Sequence, residues 1–205
     1  MARLLFIEGS PRKHRSVSTF AADAFLKAYA AANPSDTIDV FDIWNEELPQ
    51  LDQDMFDAKY AGIAGATRTP EQMAAWNKLR LLADRFRAAD KLLIGVPMWN
   101  FAIPYRMKQL IDLVSHKDLL FTFDERGLNG LLTNAKAMVI YARGIGYDEA
   151  SGMPPQVWDH QKPYMELWLK FAGVPDVRAM IVEKTLFEEN RDAIRAEAEA
   201  LAKSF

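Results

Sequence analysis

The sequence predicts an α/β three-layer sandwich: a five-stranded parallel sheet of order 2-1-3-4-5 with helices on both faces. Three observations carry that expectation. Segments patterned as strands and as helices alternate along the chain, which calls for a parallel sheet joined by right-handed crossovers. Lys91 to Val96 is an unbroken apolar run of the kind that forms a central parallel strand. The first apolar run, Leu4 to Ile7, passes straight into the loop Glu8-Gly9-Ser10-Pro11 and then into an alanine-rich segment. In such sheets ligands bind outside the carboxyl ends of the strands, where strand order reverses.

Each element has its own signal. Arg3 to Glu8 reads as a buried strand, and Ser18 to Ala31, with Phe20, Ala24, Leu26 and Ala28, as a helix. Asn33-Pro34-Ser35 breaks that helix before a second strand, Thr37 to Phe41. Pro70 opens a helix over Glu71 to Ala88, where Met73, Trp76, Leu79, Leu82 and Phe86 recur at helical spacing and Trp76 reads as core. The third strand ends at Pro97. A helix begins at Pro104, its Met107, Leu110, Ile111 and Val114 falling on one face. Ala135 to Ala142 supplies the fourth strand, Pro155 to Ala172 a helix, Asp176 to Val182 the fifth strand and Glu188 to Lys203 the closing helix. Trp44 to Thr69 and Ser115 to Asn134 exceed what such a sheet needs, and long connections are often lids or interfaces.

Composition bounds the function. With 205 residues, half of them hydrophobic, the chain is expected to form a single domain, 1–205, around a full core. A net charge of −3 argues against a general nucleic-acid binder. The absence of cysteine excludes disulfides, thiolate nucleophiles, iron–sulfur ligation and cysteine-ligated zinc. His14, His116 and His160 are far apart and form no HExxH-like pair, so no metal site is expected. No apolar stretch is long enough to span a bilayer, and the first residues enter a strand rather than a signal-peptide core. The expectation is a soluble, cytoplasmic protein.

Two segments carry chemistry. The loop Ser10-Pro11-Arg12-Lys13-His14-Arg15-Ser16-Val17-Ser18-Thr19 precedes a helix, so unpaired amides, the helix dipole and the hydroxyls of Ser10, Ser16, Ser18 and Thr19 favour an anion. Neither the P-loop spacing for a triphosphate nor GxGxxG for a dinucleotide is present. One glycine among serines suits a terminal monophosphate, and an ordinary capped helix is the plain alternative. The second segment is the turn after the third strand, Val96-Pro97-Met98-Trp99-Asn100-Phe101-Ala102-Ile103-Pro104. Two large aromatics and a methionine are unusual there, because such loops are commonly polar. A flat aromatic cofactor would explain them; taken singly, each ring is more often core.

These two segments together resemble the flavodoxin-like FMN-dependent NADH azoreductases, also described as NADH:quinone oxidoreductases. Their central motif reads P-M-Y/W-N-F-x-I-P followed by K-x-x-x-D-x-V. Pro97, Met98, Trp99, Asn100, Phe101, Ile103, Pro104, Lys108, Asp112 and Val114 match it. The likeness continues through Phe121-Thr122-Phe123, Gly127 to Leu131 and Ala142-Arg143-Gly144, and is weakest from Trp44 to Thr69.

The resemblance implies that Ser10, Ser16, Val17 and Ser18 bind the FMN phosphate. It implies that Met98, Trp99, Asn100 and Phe101 line the isoalloxazine, the Asn100 amide near N5, and that Ala142, Arg143, Gly144 and Ile145 lie by the pyrimidine edge, where donors stabilise charge on the reduced ring. NADH or NADPH would then be the electron donor and a quinone or azo compound the acceptor, in ping-pong order, with the flavin performing the chemistry. Many relatives read S-R-G-G-x-H where this chain reads Ala142-Arg143-Gly144-Ile145-Gly146-Tyr147. Tyr147 is therefore either a polar lid over the flavin or a rim residue. The four basic residues Arg12 to Arg15 are candidates for steering the anionic dinucleotide. Phe56, Tyr60, Leu119, Leu120, Phe121 and Phe123 suit a homodimer, the usual assembly of the family, or else pack within the chain. An NAD(P)H-dependent FMN reductase, a flavodoxin-type electron carrier and a regulatory flavoprotein subunit are the alternatives.

Overall fold

The computed structural model describes every residue except 126 and 188. Five parallel strands, β1 (Arg3–Glu8), β2 (Thr37–Asp42), β3 (Lys91–Pro97), β6 (Lys136–Ala142) and β7 (Asp176–Val182), form one sheet in the order β2-β1-β3-β6-β7. This is the predicted 2-1-3-4-5 arrangement. Its register runs Leu4 against Ile38 and Lys91, Leu92 against Ala137, and Ala137 against Val177. A short antiparallel hairpin, β4 (Phe121–Asp124) and β5 (Gly127–Gly130), lies outside that sheet.

The central strands β1, β3 and β6 are apolar on both faces because both faces are covered. Side chains alternate across the pleat. Leu5, Ile7, Leu92, Ile94, Val139 and Tyr141 face one core with α2 (Gln53–Ile63), α3 (Pro70–Arg87), α4 (Tyr105–Val114) and α6 (Lys162–Phe171). Leu4, Phe6, Leu93, Met138, Ile140 and Met180 face the other, with α1 (Val17–Ala32) and α7 (Arg191–Lys203). Trp76 lies in the first core, as its spacing predicts, and so do Met107, Leu110, Ile111 and Val114. No helix among the described residues is long and apolar enough to cross a membrane.

Several boundaries differ from expectation. The helix read over Pro155 to Ala172 is two: α5 (Pro155–Trp158) and α6, separated at Asp159-His160-Gln161. Pro163 is the reason, since it has no N–H to bond the carbonyl of Asp159 and its ring would strike that carbonyl in a continuous helix. The long connection after Trp44 contains α2, capped by Asp52, whose carboxylate accepts the Met55 amide at 3.0 Å. The connection from Ser115 to Asn134 contains the hairpin. Leu119 and Leu120, candidates for a subunit interface, are instead buried within the chain, and Phe121 packs on Phe171 with ring centroids 4.8 Å apart. Phe56, Tyr60 and Phe123 remain exposed. The predicted start of the closing helix, at Glu188, lies outside the described residues, and the helix itself runs from Arg191.

Candidate functional site

Backbone hydrogen bonds bring three predicted segments to the carboxyl edge of the sheet. The Gly9 amide donates to the Gly95 carbonyl at 2.9 Å, joining the exits of β1 and β3. A side chain at position 9 would place its Cβ 2.6 Å from that carbonyl oxygen, so the close approach requires glycine. The Met98 amide donates to the Ala142 carbonyl at 2.8 Å, joining the exits of β3 and β6.

The first segment gathers hydroxyl and amide donors at a helix N-terminus, a chemistry that suits an anion. Ser16 is the N-cap of α1, its hydroxyl accepting the Thr19 amide at 3.5 Å, and its Oγ lies 3.0 Å from that of Ser18. Only one of those two hydroxyls can donate to the other, so the pair keeps a proton to offer. Ser10 accepts the Arg12 amide at 3.3 Å and keeps its own proton as well. All three serines are buried. Val17 and Ser18 are the first two residues of the helix, where amides have no acceptor one turn back and the dipole is positive. Two expectations change here. The Thr19 hydroxyl faces Glu8 at 3.4 Å rather than the loop. Lys13 is not a free cation: its ammonium bonds Glu8 at 3.3 Å and Asp42. Of the basic run, Arg12, His14 and Arg15 are the exposed members.

The second segment is a tight turn. Trp99 and Ala102 exchange backbone hydrogen bonds at 2.9 and 3.0 Å, and the intervening Asn100 and Phe101 both have positive φ, 47° and 70°. That is the two-residue geometry in which Asn is common and Phe is strained. Neither aromatic folds into the core. Phe101 is 39 % exposed and its ring lies 5.2 Å from that of Trp158. Trp99 is half-buried, with Trp44 and Tyr105 at 5.6 and 6.3 Å. A cleft of about 480 Å³ opens between Trp99, Asn100, Tyr105, Lys108, His160 and Tyr164.

The third segment offers fewer donors than its sequence suggested. The Arg143 amide donates to the Val182 carbonyl at 2.8 Å, and its carbonyl accepts both the Thr185 amide and hydroxyl. The Arg143 guanidinium is buried and held by Asp159 at 2.5 Å, Glu183 at 3.0 Å and Gln161 at 3.2 Å. It points into the protein. Ala142 contributes its carbonyl to Met98, which leaves Gly144 and Ile145 as the backbone donors of this edge. Tyr147 is buried with its ring 5.5 Å from the Arg143 guanidinium. Burial raises its pKa, with the guanidinium opposing, so at neutral pH it is a phenol that keeps its proton.

Sequence reasoning missed Trp44, Asp159 and Gln161. Trp44 donates its indole N–H to the Gly9 carbonyl at 3.1 Å while its ring meets Trp99 and Tyr105, so it ties the serine loop to the aromatic turn. The tryptophan lay in the segment with least pattern. Asp159 and Gln161 fall inside the helix that the sequence predicts over Pro155 to Ala172, and the signal for them is Pro163.

Fold and site together define a flavodoxin-like α/β protein whose serine-lined helix terminus adjoins a strained aromatic turn. The flavodoxin-like-fold family model matches residues 2–205, and the chain belongs to that family, among its FMN-dependent oxidoreductases. It is 48 % identical over 210 residues to FMN-dependent NADH:quinone oxidoreductase 9 of Burkholderia lata, covering 100 % of both chains. It is 43 % identical over 208 residues to FMN-dependent NADH:quinone oxidoreductase 3 of Pseudomonas fluorescens, covering 98 % of this chain and 96 % of that one. Among solved structures, an azoreductase from Bacillus anthracis superimposes with a TM-score of 0.89 at 28 % identity over the whole of both chains.

Proposed function

We propose that the chain, acting as one domain over residues 1–205, is an FMN-dependent oxidoreductase. It takes hydride from NADH or NADPH and passes two electrons to a quinone or azo acceptor in ping-pong order. The observation that carries this reading is the convergence of the serine-lined helix terminus and the Asn100-Phe101 turn on one sheet edge, held there by the Gly9 to Gly95 and Met98 to Ala142 hydrogen bonds.

The donor set fits FMN. Ser10, Ser16, Val17 and Ser18 would hold the phosphate, with hydroxyl protons and helix amides supplying a dianion's hydrogen bonds. Met98, Trp99, Asn100 and Phe101 would line the ring, the turn fixing outward amides at Asn100 and Phe101. Gly144 and Ile145 would donate at the pyrimidine edge, with Ala142 and Arg143 as their frame. Bound FMN supplies a ring that accepts and releases a hydride. The protein orients that ring, excludes water with Trp99, Phe101 and Trp44, and lends fixed dipoles to the edge that gains charge. Exposed Phe56, Tyr60 and Phe123 suit a second copy of the chain.

Anaerobic spectroscopy tests the reading. The purified protein, or the protein given FMN, should be yellow, bleach with NADH and recover its colour on addition of a quinone. Initial rates should give parallel double-reciprocal lines. A protein that stays colourless and leaves added FMN fluorescence unchanged overturns the proposal.

A further inference from the structure

Asp159, His160 and Gln161 interrupt the helix after β6, and that interruption touches the exits of both β3 and β6. The geometry points to a clamp: Asp159 and Gln161 are positioning residues that lock the Phe101 turn to the Arg143 edge and so set the gap into which the FMN ring fits. This rests on the FMN reading above.

Four residues make the clamp. Gln161 is fully buried; its Nε2 donates to the Val96 carbonyl at 3.0 Å, beside the start of the aromatic turn, and its Oε1 accepts Arg143 Nε at 3.2 Å. Asp159, 8 % exposed, divides its oxygens: Oδ2 takes Arg143 at 2.5 Å, and Oδ1 accepts the amides of Gln161 and Lys162 at 3.0 Å each, starting α6. The His160 amide donates to the Phe101 carbonyl at 2.9 Å. The Trp158 ring meets that of Phe101 at a tilt of 55°, centroids 5.2 Å apart.

The arrangement explains two otherwise costly features. A buried arginine that faced solvent ligands would leave Asp159 as a buried unpaired charge; here the pair joins β6 to the helix break. A phenylalanine at positive φ persists only where its surroundings over-determine it, and the clamp holds that residue at both its carbonyl and its ring. Because one three-residue segment binds both edges, a displacement at Arg143 is transmitted to the Asn100-Phe101 amides.

The test uses the full-length protein stripped of flavin. Asp159→Asn keeps an oxygen to cap α6 but turns an amide N–H₂ toward Arg143. The FMN dissociation constant, read from quenching of flavin fluorescence, should rise about tenfold. In the flavin-free protein, hydrogen exchange of the Ala102 and Met98 amides should quicken. If Asp159→Asn does not fold, Gln161→Met removes the links to Val96 and Arg143 without stripping a charge and should give the same pair of changes. Gly130→Ala, which strains the far side of the molecule, should lower the melting temperature and leave FMN affinity unchanged. FMN affinity within about twofold of the parent in the folded clamp variant overturns the clamp. A parent protein that binds no FMN overturns the functional reading instead, and exchange at Ala102 and Met98 then judges the clamp alone.

Discussion

Two buried side chains carry polar atoms with no protein partner among the described residues: Tyr141 at its hydroxyl and His116 at both ring nitrogens. Tyr141 is fully buried on β6, and burial pushes its phenol well above the ordinary range. An unpaired buried hydroxyl costs about 1–3 kcal/mol, so Tyr141→Phe should stabilise the fold by about 1 kcal/mol, read as a higher urea midpoint at unchanged slope. His116 is 4 % exposed beside Trp76, and burial, reinforced by Lys59 and opposed by Asp112, lowers its pKa to about 4. The folded state therefore binds this proton more weakly than the unfolded chain, whose histidine titrates near the usual ~6.5. The resulting stability is complete above about pH 6.5 and declines as pH falls toward about 4. Its full size is about 3 kcal/mol. His116→Leu should flatten that part of the pH profile relative to the parent, in denaturant midpoints measured at about pH 7, 5.5 and 4. Parallel profiles for parent and variant would count against it.

At the scale of elements, two turns decide where chemistry-bearing atoms sit. The Asn100-Phe101 turn needs positive φ at both positions, which Gly adopts freely and a β-branched residue does not. Asn100→Gly should preserve FMN affinity within about threefold, and Asn100→Val should weaken it about tenfold or more, because the strain there is of order 1–3 kcal/mol. Equal affinities would show that the turn's backbone plays no part in binding. The β4–β5 hairpin docks on the end of α6 through the Leu132 amide and the Ala172 carbonyl at 2.8 Å. At Gly130 a Cβ would stand 2.2 Å from the Gly173 nitrogen. Gly130→Ala should cost about 2–3 kcal/mol, since backbone rather than a flexible side chain must move. The place of the turn was legible in advance, but its two-residue form and the hairpin were not. A two-residue turn with phenylalanine at positive φ breaks the propensity rule, and four-residue strands give too little alternation to detect. The α5/α6 break was legible in principle from Pro163, but the apolar spacing on either side masked it.

For the whole molecule, the long-range order was the most legible property. The central strands follow from apolar runs, the edge strands from shorter patterned segments between breaks, and the order from the alternation of strands and helices, because a doubly covered parallel sheet leaves little freedom in handedness. Charge partnership was the least legible, since it depends on tertiary placement. The basic loop shows this: sequence offers four residues from Arg12 to Arg15, and the fold withdraws Lys13 into the Glu8 and Asp42 pair. The steering hypothesis therefore narrows to Arg12 and Arg15, exposed in the loop before α1 on a chain of net charge −3. An anionic nicotinamide dinucleotide approaching that edge meets local positive potential against a negative background, an effect that salt screens over a Debye length of about 10 Å. kcat/KM for NADH should fall about two- to fivefold between about 20 and 300 mM salt, and the double variant Arg12→Gln/Arg15→Gln should start lower and show a flatter slope. Lys13→Gln should act differently, loosening the loop and raising the FMN dissociation constant while leaving the salt slope in place. If the double variant retains the parent's slope, the encounter is not steered by this loop and Arg12 and Arg15 are solvated surface charge.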